Sequence, residues 1–168
     1  GAGYVYLIRL PMPVIDGELQ LPGLRESVTV FRDRWSVPHI YAANEHDLFM
    51  AQGFVQAQDR IWQMEVNRRL AAGRLSEVFG PDAVEVDKVV RSLGLPQASR
   101  DELAQCNPSE MEILRAFSAG VNGFLELRKS RLPLEFRILG IHPEPWRPED
   151  SIGWSKFMAY MGGKNWQE

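Results

Sequence analysis

The stretch Val30–Gly80, VFRDRWSVPHIYAANEHDLFMAQGFVQAQDRIWQMEVNRRLAAGRLSEVFG, decides the fold. Ser27–Phe31 and Val37–Ala42 are short, rich in β-branched and aromatic residues, and separated by the polar Arg32–Ser36, which predicts an antiparallel hairpin. Pro38 cannot donate a ladder hydrogen bond, so the second strand begins there or lies at an edge. After Ala43 the period becomes helical. Asn44 can cap, Asp47 falls where first-turn amides favour an acid, and Leu48, Ala51, Val55, Trp62, Val66 and Leu70 follow at helical spacing until Gly73 stops the run. Met50, Phe54, Ala57, Ile61 and Met64 form a second apolar row beside the first, so this helix needs cover on most sides.

Its polar residues are unusual. Gln52, Gln56, Arg60, Gln63 and Asn67 form a stripe of mainly uncharged amides, and Asp59 falls on the apolar row itself. A buried network follows from that reading, with Arg60, Gln63 and Arg68 as donors to Asp59, and with Glu65 pairing Arg68 or Arg69 along the helix. Asp59 can be a structural ion-pair member or a catalytic carboxylate, and the pattern leaves both open.

Around this stretch the chain reads as more helix. Pro81 fits a first helical position, and the segment to Leu93 is amphipathic and ends at Gly94, with Asp87 and Arg91 one turn apart. A short polar helix of one or two turns follows Pro96. Asn107-Pro108-Ser109-Glu110 has the form of a capping box, opening a helix with Leu114, Phe117, Val121 and Phe124 on its buried row. Gly120 and Gly123 within it point to close packing against another element, and Arg128, Lys129 and Arg131 to a solvated end. Phe136–Leu139 reads as a short extended piece before a last helix near the C-terminus.

The chain has 168 residues, which predicts one domain over 1–168 with a sizeable core. A net charge of −3 gives no electrostatic case for nucleic acid or an anionic membrane surface. The single Cys106 cannot form an internal disulfide or a cysteine-based zinc cluster, and His39, His46 and His142 are scattered. Gly1–Leu10 is apolar for too few residues to cross a bilayer; it reads either as an edge strand or as the start of a mature chain left by removal of an export signal.

The order RDRWSVPHIYA, then HDLFMAQGFVQAQDRIWQMEVNRRLAAGRLSEVFG, then LPLEF and GIHPEPWRPED, closely resembles the α chain of the penicillin acylase family of N-terminal-nucleophile hydrolases. One departure is Ser36, where the family usually carries glycine. The resemblance implies a mostly α fold with a short antiparallel hairpin, the smaller part of an αββα heterodimer. It also implies a self-cleaving precursor, a β chain whose N-terminal serine is the nucleophile, hydrolysis of the amide joining an acyl group to an amine, and export to the periplasm or outside.

No G-x-S-x-G elbow, Cys/His pair of recognisable context or metal motif occurs in the sequence, so the residues themselves supply no complete catalytic set. The resemblance accounts for this by placing nucleophile and oxyanion donors on the β chain; no residue of this chain is catalytic on that reading. What it assigns here is a wall of the acyl pocket at the end of the last helix: Met158, Ala159, Met161, Gly162, Gly163 and Trp166. Alignment from Trp146 puts the family's pocket Met and Phe on Ala159 and Gly163, and alignment from the terminus puts them on Gly162 and Trp166. Met158 and Met161 also read as ordinary core residues of a terminal helix, since methionine readily fills core gaps. The family's calcium would take one oxygen from Glu168, and no organic cofactor is implied. The acyl amide itself stays open between a β-lactam, an N-acyl homoserine lactone and related compounds. From another class, a noncatalytic helical interaction subunit also fits the wide apolar helix.

Overall fold

The computed structural model describes residues 16–163. β1 (Thr29–Arg32) and β2 (Pro38–Tyr41) form the expected antiparallel hairpin, with Thr29 opposite Tyr41 and Phe31 opposite His39. Its turn is built by Asp33, whose Oδ1 accepts the N–H groups of Trp35 at 2.8 Å and Val37 at 3.0 Å. Ser36 closes the turn at φ +61°, a left-handed conformation that favours glycine.

The long helix α1 covers Glu45–Ala72, one residue inside each predicted end, but it is broken at Arg60, whose φ −143° and ψ 26° are not helical. Further helices are α2 (Ser76–Phe79), α3 (Val84–Ser92) after a 3₁₀ turn at Gly80–Ala83, α4 (Leu95–Gln105), α5 (Pro108–Arg128), α6 (Leu134–Ile138) and α7 (Pro148–Gly163). The chain is thus mostly α with a two-stranded sheet. Contacts divide it into two compact units: residues through Trp62 with Glu112–Trp146, and Gln63–Met111 with the residues from Arg147 on.

In the first unit α1 and α5 meet backbone to backbone. A Cβ on Gly53 would lie 2.1 Å from the Phe117 carbonyl oxygen, and one on Gly120 would lie 1.8 Å from the Met50 carbonyl oxygen. Close packing is therefore what Gly120 provides. For Gly123 the neighbour is the Leu21 side chain, whose Cδ1 would lie 2.4 Å from an added Cβ. Phe54 meets Phe124 edge to face at 5.7 Å, and Trp62 meets Phe136 likewise at 5.1 Å.

Asp47 anchors the start of α1. Its carboxylate is fully buried and accepts the N–H groups of Arg25 and Glu26, each at 2.9 Å, with Asn44 Nδ2 at 2.8 Å and His46 Nδ1 at 3.0 Å. Burial pushes this carboxyl up, and the hydrogen bonds from Arg25, His46, Asn44 and Glu26 overcome it, holding the group far below the usual carboxylate range. Asn44 also caps the helix as expected, its Oδ1 accepting the Asp47 N–H at 2.9 Å.

The second unit contains the predicted pairing of Glu65. Its carboxylate is buried and reaches Arg68 at 2.5 Å and Arg69 at 2.7 Å, and Arg69 goes on to Glu77. Asp87 and Arg91 both turn to the exit of α1: Asp87 accepts the N–H groups of Leu75 at 2.7 Å and Ser76 at 2.8 Å, and Arg91 Nε donates to the Gly73 carbonyl at 2.8 Å. The capping box is present, with reciprocal 2.9 Å bonds between Asn107 and Glu110.

Five expectations need correction. Asp59 is exposed and takes no part in a buried network; Arg32 of the hairpin grips it at 2.8 and 3.0 Å. Gln52, Gln56, Arg60 and Gln63 are likewise exposed, because the buried rows of α1, with Met50, Phe54, Ala57 and Ile61, turn the amide stripe outward. Phe136 lies in a helix, α6, since Pro133 can precede a first turn and the ring finds Trp62 from there. Arg128 is buried, so only Lys129 and Arg131 remain at the solvated end of α5. The polar segment after Pro96 is also longer than expected: α4 runs to Gln105 over 11 residues.

Candidate functional site

The residues assigned to the acyl pocket lie at the end of α7, so its start and its seat come first. Asp150 Oδ2 accepts the Arg147 N–H at 2.8 Å, closing the first turn. Burial raises the Asp150 carboxyl above its ordinary range despite that hydrogen bond and the Arg68 and Arg147 charges. Arg68 Nη1 lies 3.7 Å away, linking α7 to α1 through the same arginine that holds Glu65.

One side of α7 is covered. Ile152 and Gly153 are buried, and a Cβ on Gly153 would lie 3.6 Å from Ser99 Oγ on α4 and 3.8 Å from Ala71 Cβ on α1. Lys156 pairs with Glu102 on α4. Trp154 stacks on Phe157 with ring centres 5.7 Å apart, a flat aromatic pair one turn before the assigned residues.

The other side is open. Met158 and Met161 are 52% and 45% exposed, and Ala159, Gly162 and Gly163 are exposed with them. Met158, Met161 and Gly162 share one stripe at three- and four-residue spacing, and Ala159 with Gly163 lies alongside. Among the described residues, a Cβ at Gly162 or Gly163 would meet nothing within 4 Å. The structure therefore leaves five of the assigned positions exposed along the last turns of α7: two thioethers and three small residues. Met158 and Met161 lie outside the buried core of the described residues. Trp166 and Glu168 lie outside the described residues, as does the Gly1–Leu10 segment.

Sequence reasoning did not single out Asp150, Lys156 or the Trp154–Phe157 stack. Asp150 carried a signal, an acid in the first turn after Pro148; Lys156 carried none, because its partner Glu102 sits on a helix far away in sequence. Among the described residues no group of three His, Cys, Asp or Glu side chains could hold a metal ion. None of the described helices is long and apolar enough to cross a membrane.

The Penicillin amidase family model matches residues 27–168. A penicillin acylase 2 proenzyme of Pseudomonas sp. (strain SE83) is 42% identical over 159 residues, covering 95% of this chain and 20% of the relative. An acyl-homoserine lactone acylase, QuiP, of Pseudomonas aeruginosa is 35% identical, covering 83% of this chain and 16% of the relative. The solved thermostable penicillin G acylase from Alcaligenes faecalis superposes with a TM-score of 0.74 at 32% identity, covering 82% of this chain and 75% of that chain. The chain thus spans about a fifth, or less, of the length of the two curated relatives.

Proposed function

We propose a function on one premise: the chain belongs to the penicillin amidase family, whose model matches residues 27–168. On that premise it is the smaller chain of an amidohydrolase that cleaves the amide between an acyl side chain and an amine. The family match carries this reading, and the share of the curated relatives that the chain spans supports a larger remainder, here a β chain beginning with serine. That serine's hydroxyl attacks the amide carbonyl. Its own α-amine, with a reference pKa near about 8, takes the proton close to neutral pH without a histidine.

This chain's part is to bind. The exposed Met158, Ala159, Met161, Gly162 and Gly163 form one wall of an apolar acyl pocket, to which the family resemblance adds Trp166; thioethers adapt to irregular shapes, and the small residues set how deep an acyl chain can lie. The relatives' names cover penicillins and acyl-homoserine lactones, so the acyl amide is drawn from one of those classes. Export to the periplasm or outside, and a calcium ion to which Glu168 gives one oxygen among six or more, belong to the same reading on resemblance alone.

Mass and N-terminal sequencing of the purified enzyme test the two-chain form, with a second chain starting in serine expected. Full amidase activity from the 168-residue chain alone would overturn it. A screen across penicillins, cephalosporins and N-acyl homoserine lactones of graded acyl length identifies the substrate class. Changing Met161 or Trp166 to alanine is expected to shift the preferred acyl length more than the melting temperature. A noncatalytic interaction subunit would instead leave the assembled complex without single-turnover acyl release, and metal analysis of that complex reads the calcium.

A further inference from the structure

The hairpin has two faces, and the ladder register separates them. Side chains alternate along each strand, so Val30, Arg32, Pro38 and Ile40 share one face and Thr29, Phe31, His39 and Tyr41 share the other. Arg32 identifies the first as the face toward α1, because its guanidinium binds Gln58 at 2.9 Å and Asp59 at 2.8 Å. The second face points away from the helix. An antiparallel sheet with one solvated face carries polar residues there, yet this one carries Phe31 at 60% and Tyr41 at 62% exposure, with Trp35 at the turn 73% exposed. Apolar residues on both faces are the pattern of strands covered on both sides.

We propose that this outward face of Phe31, Tyr41 and Trp35 is the surface on which the rest of the precursor, the β chain of the two-chain enzyme, lays an apolar face. The inference rests on that two-chain reading for the identity of the occupant. Two observations favour this occupant. The chain spans only 20% of the proenzyme relative, and the greater part of a precursor of that length would be available to cover the face. The hairpin also belongs to the region matched by the family model, which begins at residue 27, rather than to a peripheral extension. The polar groups around the apolar centre suit a rim: His39 Nε2 lies 3.4 Å from Asp33, and Arg34 sits 4.9 Å over the Trp35 ring. An aromatic cluster inside a polar border is the form of an interface centre, where tryptophan and tyrosine dominate.

Hydroxyl-radical footprinting of the purified enzyme, read residue by residue by mass spectrometry, tests this without any substitution. The reference is the same protein unfolded in urea. Phe31, Trp35 and Tyr41 in the native enzyme are expected to be labelled at least about tenfold more slowly than when unfolded, as at a desolvated interface centre. The exposure they have in this chain alone would give only about twofold. Labelling at that twofold level in an enzyme whose mass shows both chains overturns the docking and leaves the two-chain reading intact. Protection in an uncleaved single polypeptide supports the docking while overturning the cleaved form. Protection that grows with enzyme concentration identifies a second copy as the cover and overturns the proposal.

Discussion

Gly53 and Gly120 sit where a single added carbon would strike backbone atoms of the facing helix, whereas Gly162 and Gly163 sit where it would meet nothing among the described residues. The contrast teaches how to read one residue type in two regions. On the α1–α5 contact the missing side chain is demanded by this chain's own packing. At the end of α7 it answers to no internal neighbour among the described residues, so the room it leaves is available to something outside the chain. Ser36 is a third case, a left-handed position where glycine would relax the backbone and serine stands instead.

The contrast can be broken most directly at Gly120. Gly120→Ala must push α1 and α5 apart, and a loss of about 3 kcal/mol is expected from urea denaturation, the upper end for an overpacked core. A midpoint unchanged from the parent would mean the contact yields easily and the contrast is false. Asp47 tests the same closed region by charge. Its folded pKa is depressed, so the stability it contributes is present above its unfolded value of about 4 and is lost as pH falls toward the folded value. Asp47→Asn is expected to cost about 1–2 kcal/mol near neutral pH through weakened hydrogen bonds, with the gap to the parent closing in acid melts. Ser36→Gly is expected to stabilise by about 1 kcal/mol, the cost of a side chain in the left-handed region, measured as a raised urea midpoint. Smallest in stability is Gly162→Ala, within about 0.5 kcal/mol of the parent because helix propensity favours alanine only modestly near an end. Its effect should show in acyl-length preference, and a shift in melting without a shift in preference would remove Gly162 from the pocket wall.

Much of this architecture was legible because local signals suffice for it. The alternation around Arg32–Ser36 gives the hairpin, Asn44 and Gly73 bound α1, and Asn107 with Glu110 opens α5; each involves groups only a few residues apart. Asp59 failed because its partner, Arg32, lies on another element 27 residues away. The anchoring role of Asp47 was invisible for a related reason: two of its donors are the backbone N–H groups of Arg25 and Glu26, which every non-proline residue has. Phe136 reads as strand by composition and becomes helix because tertiary contact with Trp62 outweighs weak local preference. For the candidate site, spacing places Met158 and Met161 on one stripe, but which stripe stays open depends on where Ser99 and Glu102 of α4 meet α7.

The α1–α5 contact has a consequence for folding specificity. Both helices carry apolar rows that could mesh at several offsets differing by one turn, and such alternatives bury similar area. Sliding α5 by one turn would bring Ala116 or Phe124 to the place that Gly120 holds against the Met50 carbonyl, and neither leaves the space a bare Cα leaves. The glycine therefore acts as a detent: it adds little attraction of its own and makes the offsets that bring Ala116 or Phe124 to its place sterically unavailable, separating one arrangement from those near-degenerate rivals.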